Sequence, residues 1–424
     1  MEDFANALLA EKPNLSVVRG NVSDSWIHGL ASSPHAMRTV ANARPKLLAL
    51  ESLRTLNLAR GIRPPPSPEV IAAGYDNSLR WSEHTWGLAN QHFVPGLYGE
   101  AFDQAYAGGL PPNYQHMVAS WNEHDQFAFR IEDRVVPELE AELHTLAENV
   151  NVPGLRIVVF NPLPWPRDGL VDFAFPFMGS IAGKTAVKSV DDGAVQALQT
   201  WGAHSHRNGR FVAKNVPPLG YKTYIVTSDE PHKTALVGDA PSVVIENRWF
   251  KITLDPARGC IASIIEKTTG AEFVDAHSPH GFGQYLYQQF DRQECDAYVR
   301  SYILPPYLGS HGPVTAKSTY IPKSAKHLDF SPTNMTLGVT KNGFSITATL
   351  IPVMSVGAMP HTAGLTVTLY EEMPIIDLQS HIVHHPATEN PEAGWLCLPF
   401  TIPNPQFRLR MNSDDYFSPT GSEE

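Results

Sequence analysis

The sequence predicts an α+β protein: a three-helix bundle followed by antiparallel β-sandwich domains. Three observations predict it. Apolar residues recur at spacings of three and four up to about residue 150. Beyond Val152-Pro153-Gly154 they alternate instead, the period of a strand with one buried face. The 36 prolines fit the many loops of a large β region.

The helical signals come first. Ser33-Pro34 offers an N-cap and a proline at the first helical position. Val40, Ala43, Leu47 and Leu50 then form one apolar stripe, and Pro45 is expected to kink this helix or mark a second start. The run Arg63-Pro64-Pro65-Pro66-Ser67-Pro68 is a stiff break, and Ser67 and Pro68 can cap a short helix from Glu69. A long third helix is expected from about Gln115 to Asn149. Ile131, Val135, Leu139, Leu143, Leu146 and Val150 lie on one of its faces, and Pro137 is the expected kink. Three antiparallel helices packed on these stripes would share a core.

Strand signals follow. RIVVF, residues 156–160, is a short apolar run stopped by Asn161-Pro162, the pattern of a strand buried on both faces. Phe250, Ile252 and Leu254 oppose Lys251, Thr253 and Asp255; Leu365, Val367 and Leu369 oppose Thr366, Thr368 and Tyr370. Residues 413–424 are polar and expected to fray. The boundaries expected are 1–30, 31–152 for the bundle, 153–232 for a small sandwich and 240–424 for a large one.

A formal net charge of −11 argues against nucleic-acid or anionic-membrane partners, which require a basic face. No apolar run approaches the roughly 18–20 residues of a membrane helix. MEDFANALLAEKPNL lacks a basic region followed by an apolar core, so no signal peptide is expected; the compartment stays open, with the cytoplasm favoured. Cys260, Cys295 and Cys397 are odd in number and far apart, as expected of reduced thiols rather than a disulfide framework.

Two stretches carry candidate chemistry. In RGNVSDSWIHG, Asp24 precedes Trp26; desolvation beside the indole would raise its pKa toward that of a general acid, while the plainer reading is a solvated turn aspartate. In WSEHTWG, His84 stands between Glu83 and Thr85 with Trp81 and Trp86 on either side. It could ligate zinc beside a sugar-stacking wall, or it could be a satisfied structural histidine. Other histidines invite the same question. His204 and His206 read as a polar turn; His381 and His385 would share one strand face with His384 opposed; His327-Leu328-Asp329 has a metal-like spacing. No G-x-S-x-G elbow or phosphate-binding loop is present.

Taken in order, several segments resemble the zinc-dependent α-mannosidases of glycoside hydrolase family 38. DSWIHGLASSPHAMRTVANARPKLLALESL resembles the family's passage from catalytic barrel to bundle, and SEHTWG the bundle segment that sends a histidine to the zinc. GLRIVVFNPLPWPRDGLVDF and VPPLGYKTYIV resemble the opening and closing strands of the first β domain. IENRWFKITLDPARGCIASIIEKTTGAEFV, LYEEMPIIDLQSHI and EAGWLCLPF resemble successive parts of a large, galactose-mutarotase-like sandwich.

The resemblance implies a retaining glycosidase acting on an α-mannoside or related glycan, in which one carboxylate attacks the anomeric carbon and another protonates the leaving oxygen. It implies zinc as cofactor, His84 as a zinc ligand, Asp24 as acid/base, and Trp26, Thr85 and Trp86 as substrate contacts. Thr85 stands where many members carry a sugar-contacting aspartate. It further implies that residues 1–30 are the end of a barrel whose His-x-Asp pair and nucleophile this chain does not carry, and that the large sandwich is cut short. The chain alone is therefore expected to be weakly active or inactive. The alternatives are a non-catalytic carbohydrate-binding or scaffold protein and a mutarotase-like sugar isomerase. Linkage, aglycone and oligomeric state stay open.

Overall fold

The computed structural model describes residues 2–11, 33–62, 69–83, 99–175, 184–202, 207–228, 242–302, 324–353, 361–386, 388, 390–405, 409–410 and 416–417. It is a mixed α+β architecture: a helical region followed by antiparallel sheets.

Helix α1 (Glu2–Ala10) is exposed along its length, Phe4 and Leu9 included. Helices α2 (Pro34–Ala59) and α3 (Glu69–Trp81) are followed by α4 (Gly99–Gly108) and the long α5 (Pro112–Glu148). The stripe read from the sequence is the stripe that is buried. Val40, Ala43, Leu47 and Leu50 of α2 pack with Ile131 and Val135 of α5 and Trp81 of α3. Fully burying each such leucine or valine contributes about 1.5–3 kcal/mol. Gly74 of α3 lets the helices approach: a Cβ there would stand 2.8 Å from a Leu47 methyl. Pro45 and Pro137 both lie inside continuous helices, so Pro45 does not mark a second start. Both are exposed, as are Ala41 and Asp133 four residues earlier, so the carbonyls they leave unbonded belong to the solvent side of each helix.

Seven strands come next: β1 (Arg156–Asn161), β2 (Arg167–Ala174), β3 (Ala186–Ser189), β4 (Val195–Ala197), β5 (Gln199–Trp201), β6 (Asn208–Val216) and β7 (Gly220–Thr227). They form two sheets, β1-β7-β3-β4 and β2-β6-β5. Val187 and Tyr224 of the first sheet share a core with Phe211 and Ala213 of the second. β1 corrects the expectation of a strand buried on both faces. It is an edge strand, only half-buried, paired with β7 alone. A cavity of about 320 Å³ opens between β1 and β2, the edges of their two sheets.

The remaining elements are β8 (Val244–Glu246), β9 (Phe250–Asp255), β10 (Cys260–Glu266), β11 (Gln284–Gln289), α6 (Arg292–Tyr302), β12 (Leu328–Phe330), β13 (Thr336–Lys341), β14 (Ser345–Ile351), β15 (Thr362–Tyr370), β16 (Ile376–Val383), β17 (Glu392–Cys397), β18 (Leu409–Arg410) and β19 (Tyr416–Phe417). The sheets run β10-β9-β8, β12-β11-β17, β13-β14-β15-β16 and β18-β19, and every pairing is antiparallel. Alternation is as read: Ile252 and Leu254 of β9 share a core with Leu365, Val367 and Leu369 of β15. Tyr416–Phe417 pairs within the stretch expected to fray; the rest of 413–424 lies outside the described residues. The two β regions meet through Val212, Phe344, Tyr370 and Met373, and Lys214 Nζ pairs with Glu372 at 2.8 Å.

Among the described residues no helix is long and apolar enough to cross a membrane. All three cysteines are free thiols, Cys260 fully buried and the other two partly. Burial pushes the Cys260 thiol up to about 11, which keeps it protonated and unreactive.

Candidate functional site

The sequence-derived site residues Asp24, Trp26, His84, Thr85 and Trp86 all lie outside the described residues. The described residues that flank them are brought together. Ser33, which follows the Asp24 segment and opens α2, donates its hydroxyl to Asp125 Oδ2 of α5 at 2.8 Å. Trp81, which ends α3 three residues before His84, receives a hydrogen bond on its carbonyl from His124 Nε2 at 2.9 Å. Two adjacent residues of α5 thus hold the chain where it enters α2 and where it leaves α3. The bond to Trp81 fixes the His124 tautomer, because a carbonyl only accepts: Nε2 carries the proton.

Arg44 ties the same end of the layer from α2. Its Nε donates to Ser78 Oγ at 2.8 Å and its Nη2 to Ser82 Oγ at 2.5 Å, and its guanidinium lies 6.0 Å from the Trp81 ring centroid. Burial holds the Arg44 guanidinium below its ordinary value.

Sequence reasoning passed over His124, Asp125 and Arg44. One signal was available for His124: it stands four residues before Ala128, itself followed by Ile131 and Val135, and so extends the buried stripe by one turn. A histidine at a core position needs a partner for its ring nitrogens.

The other histidine readings are narrowed. His204 and His206 lie outside the described residues. His327 Nδ1 bonds Glu294 at 2.8 Å and its Nε2 stands 3.4 Å from Asp329. The two carboxylates, Glu294 first, raise the His327 pKa, which works against the neutral ring that a cation requires. His381 is exposed on β16. His384 and His385 lie just beyond the end of that strand, and His384 adopts φ 58°, which corrects the expectation that His381 and His385 share one strand face with His384 opposed. Among the described residues no group of three or more histidine, cysteine, aspartate or glutamate side chains is placed to hold a metal ion. The described residues therefore supply no zinc donor set.

No protein-family model matches the sequence, and no curated protein matches it.

Proposed function

We propose that this chain carries the helical bundle and β-sandwich domains of an α-mannosidase-type glycoside hydrolase of family 38, retaining and zinc-dependent. One observation supports this reading: the segments that resemble the family's bundle border helices, and those that resemble its β domains lie on antiparallel strands. The DSWIHG segment leads into α2 and SEHTWG leaves α3. RIVVFNPLPWPRDGLVDF spans β1 and β2, VPPLGYKTYIV runs into β7, and the segment from Ile245 to Val274 spans β9 and β10. The domains proposed are 31–152, 153–232 and 240–424, after a barrel-derived segment 1–30.

In this reading His84 ligates zinc, Asp24 is the acid/base, and Trp26, Thr85 and Trp86 contact the sugar. Zinc, when bound, holds sugar hydroxyls and favours ring distortion. The role of the described residues is positional: Asp125 holds Ser33, which follows the Asp24 segment, and His124 holds Trp81, which precedes the His84 segment. A single zinc ligand and no nucleophile from this chain give weak turnover or none.

The test uses the purified 424-residue chain with an aryl α-mannoside, metal analysis and calorimetry with mannose. The expected result is sugar binding that His84→Ala and Trp86→Ala both weaken, with turnover at or near background. Turnover with about one zinc per chain would overturn the inactive reading. Binding that neither substitution alters points to a non-catalytic carbohydrate-binding protein. Ring-opening exchange of a free sugar points to an isomerase, and no binding at all removes the carbohydrate reading.

A further inference from the structure

Five side chains outside that reading bridge the β12-β11-β17 sheet and the β13-β14-β15-β16 sheet. Tyr285 and Tyr287 come from β11, Glu392 from β17, His361 from the residue before β15, and His385 from just beyond β16. His361 is only 2% exposed. Its Nε2 bonds the Tyr285 hydroxyl at 2.9 Å, and its Nδ1 is buried without a hydrogen-bond partner among the described residues. The His385 ring leans on it with centroids 4.4 Å apart, and Tyr287 meets it edge-on at 4.6 Å. Tyr287 donates to Glu392 Oε2 at 2.6 Å, and His385 Nε2 stands 3.4 Å from the same oxygen.

This setting suits a neutral imidazole and not a charged one. A neutral ring carries one N–H and one lone pair; Tyr285 meets Nε2, and the nitrogen left over adds no charge to the enclosed site. A protonated ring carries a proton on each nitrogen, and among the described residues no acceptor meets the one on Nδ1. The groups facing it are Tyr285 and Tyr287 from β11, His385 from the β16 side and Glu392 from β17. Glu392 is the sole carboxylate among them, and its Oε2 already serves Tyr287 and His385.

We propose that His361 is an acid-sensitive latch: neutral, it fastens β11 to the start of β15, and protonated, it forces that junction open. Burial first, and then His385, lower the His361 pKa from its ordinary 6.5. The fold therefore binds this proton less readily than the unfolded chain does. Stability is full above 6.5 and declines as pH falls below it. His327 cannot imitate this, because its pKa is raised and its linkage to stability has the opposite sign.

Hydrogen exchange of the full chain tests the latch, followed on peptides spanning 284–289, 361–370 and 392–397 between pH 7.5 and 5. The wild type is expected to lose protection there by up to about tenfold per pH unit, the slope of one proton, before peptides spanning 156–161 and 220–227 respond. His361→Gln keeps a polar group near Tyr285 and should flatten that slope. Tyr285→Phe should lower protection equally at every pH and leave the slope intact; it also serves if His361→Gln fails to fold. An unchanged slope in His361→Gln, a flattened slope in Tyr285→Phe, or loss of protection at the same pH in the 156–161 and 220–227 peptides overturns the proposal.

Discussion

The helical layer and the β units bury polar groups in different ways. Between α2 and α5 the buried contact is ionic. Arg54 reaches Glu142 through Nε at 3.1 Å and also pairs with Glu138, while Asn57 Nδ2 donates to Glu142 Oε2 at 2.8 Å. Arg54 is 7% exposed and Glu142 1%. In the β units neutral asparagines do the corresponding work at strand ends. Asn161 Nδ2 lies within 2.8–3.2 Å of the carbonyls of Trp165, Val216 and Pro217. Asn247 accepts from the backbone of Trp249 and Phe250 and donates to the Tyr370 carbonyl, each at 2.8 Å.

The difference follows from backbone accounting. A helix interior satisfies its own N–H and C=O groups, so a polar side chain between two helices finds its main partner in another side chain, even where Asn57 Nδ2 also reaches the Glu142 carbonyl at 3.3 Å. Strands end in turns that leave backbone donors and acceptors over, and an amide carries one of each kind. The helical contact should therefore be strong only while both charges are present, and the two asparagine contacts should not depend on charge.

The largest expected effect comes from breaking the ionic contact on one side. Glu142→Ala leaves the buried Arg54 with Glu138 alone and removes the acceptor of Asn57 Nδ2, and should cost about 3 kcal/mol in urea denaturation. The double substitution Arg54→Met with Glu142→Leu should recover most of that loss. Asn161→Ala removes the donor shared by three carbonyls and should cost about 2–4 kcal/mol, with no dependence on salt. Asn161→Asp should cost more, because a carboxylate would face those carbonyls.

Gly281→Ala tests packing without polarity. Its Cβ would stand 2.2 Å from Cys260 Sγ and 2.6 Å from Cys260 Cβ, so a loss of about 1–3 kcal/mol is expected, only partly relieved by adding Cys260→Ala, which keeps the second contact. Lys222, nearly buried, pairs with Asp192 at 2.7 Å, and its hydrogen bond is the leading reason the Asp192 carboxyl sits far below its ordinary 3.8. A depressed carboxyl stabilises above that ordinary value and loses its contribution as pH falls through and below it. Melting curves between pH 6 and 2 should therefore show a shallower acid decline for Asp192→Asn than for wild type. The smallest effect belongs to the exposed Arg80–Asp76 pair one turn apart on α3. Asp76→Asn should change stability by about 0.3 kcal/mol.

Much of the fold was legible. The stripes of α2 and α5 and the alternation of β9 and β15 each depend on neighbours within one element, and each was read correctly. α6 was passed over although its start is written in the sequence. Asp291 and Glu294 form a reciprocal cap: the Asp291 N–H donates to Glu294 Oε2 at 2.9 Å and the Glu294 N–H to Asp291 Oδ1 at 2.8 Å. β1 was misread because an apolar run does not say whether its strand is flanked on both sides. In the site, His124, Asp125 and Arg44 were not legible because each acts on a partner 34 to 92 residues away.

By itself the sequence determined the helices α2, α3 and α5, the strands β9 and β15, and which face of α2, α5, β9 and β15 is apolar. Those properties come from repeats of 3.6 and 2.0 residues that need no distant partner. The tertiary structure alone decided that one stretch of α5 holds the chain both where it enters α2 and where it leaves α3, and that His361, 76 residues from Tyr285, is enclosed with one nitrogen unmet among the described residues. Hydrogen bonding and desolvation depend on which groups meet in space, and that is settled only when the elements pack.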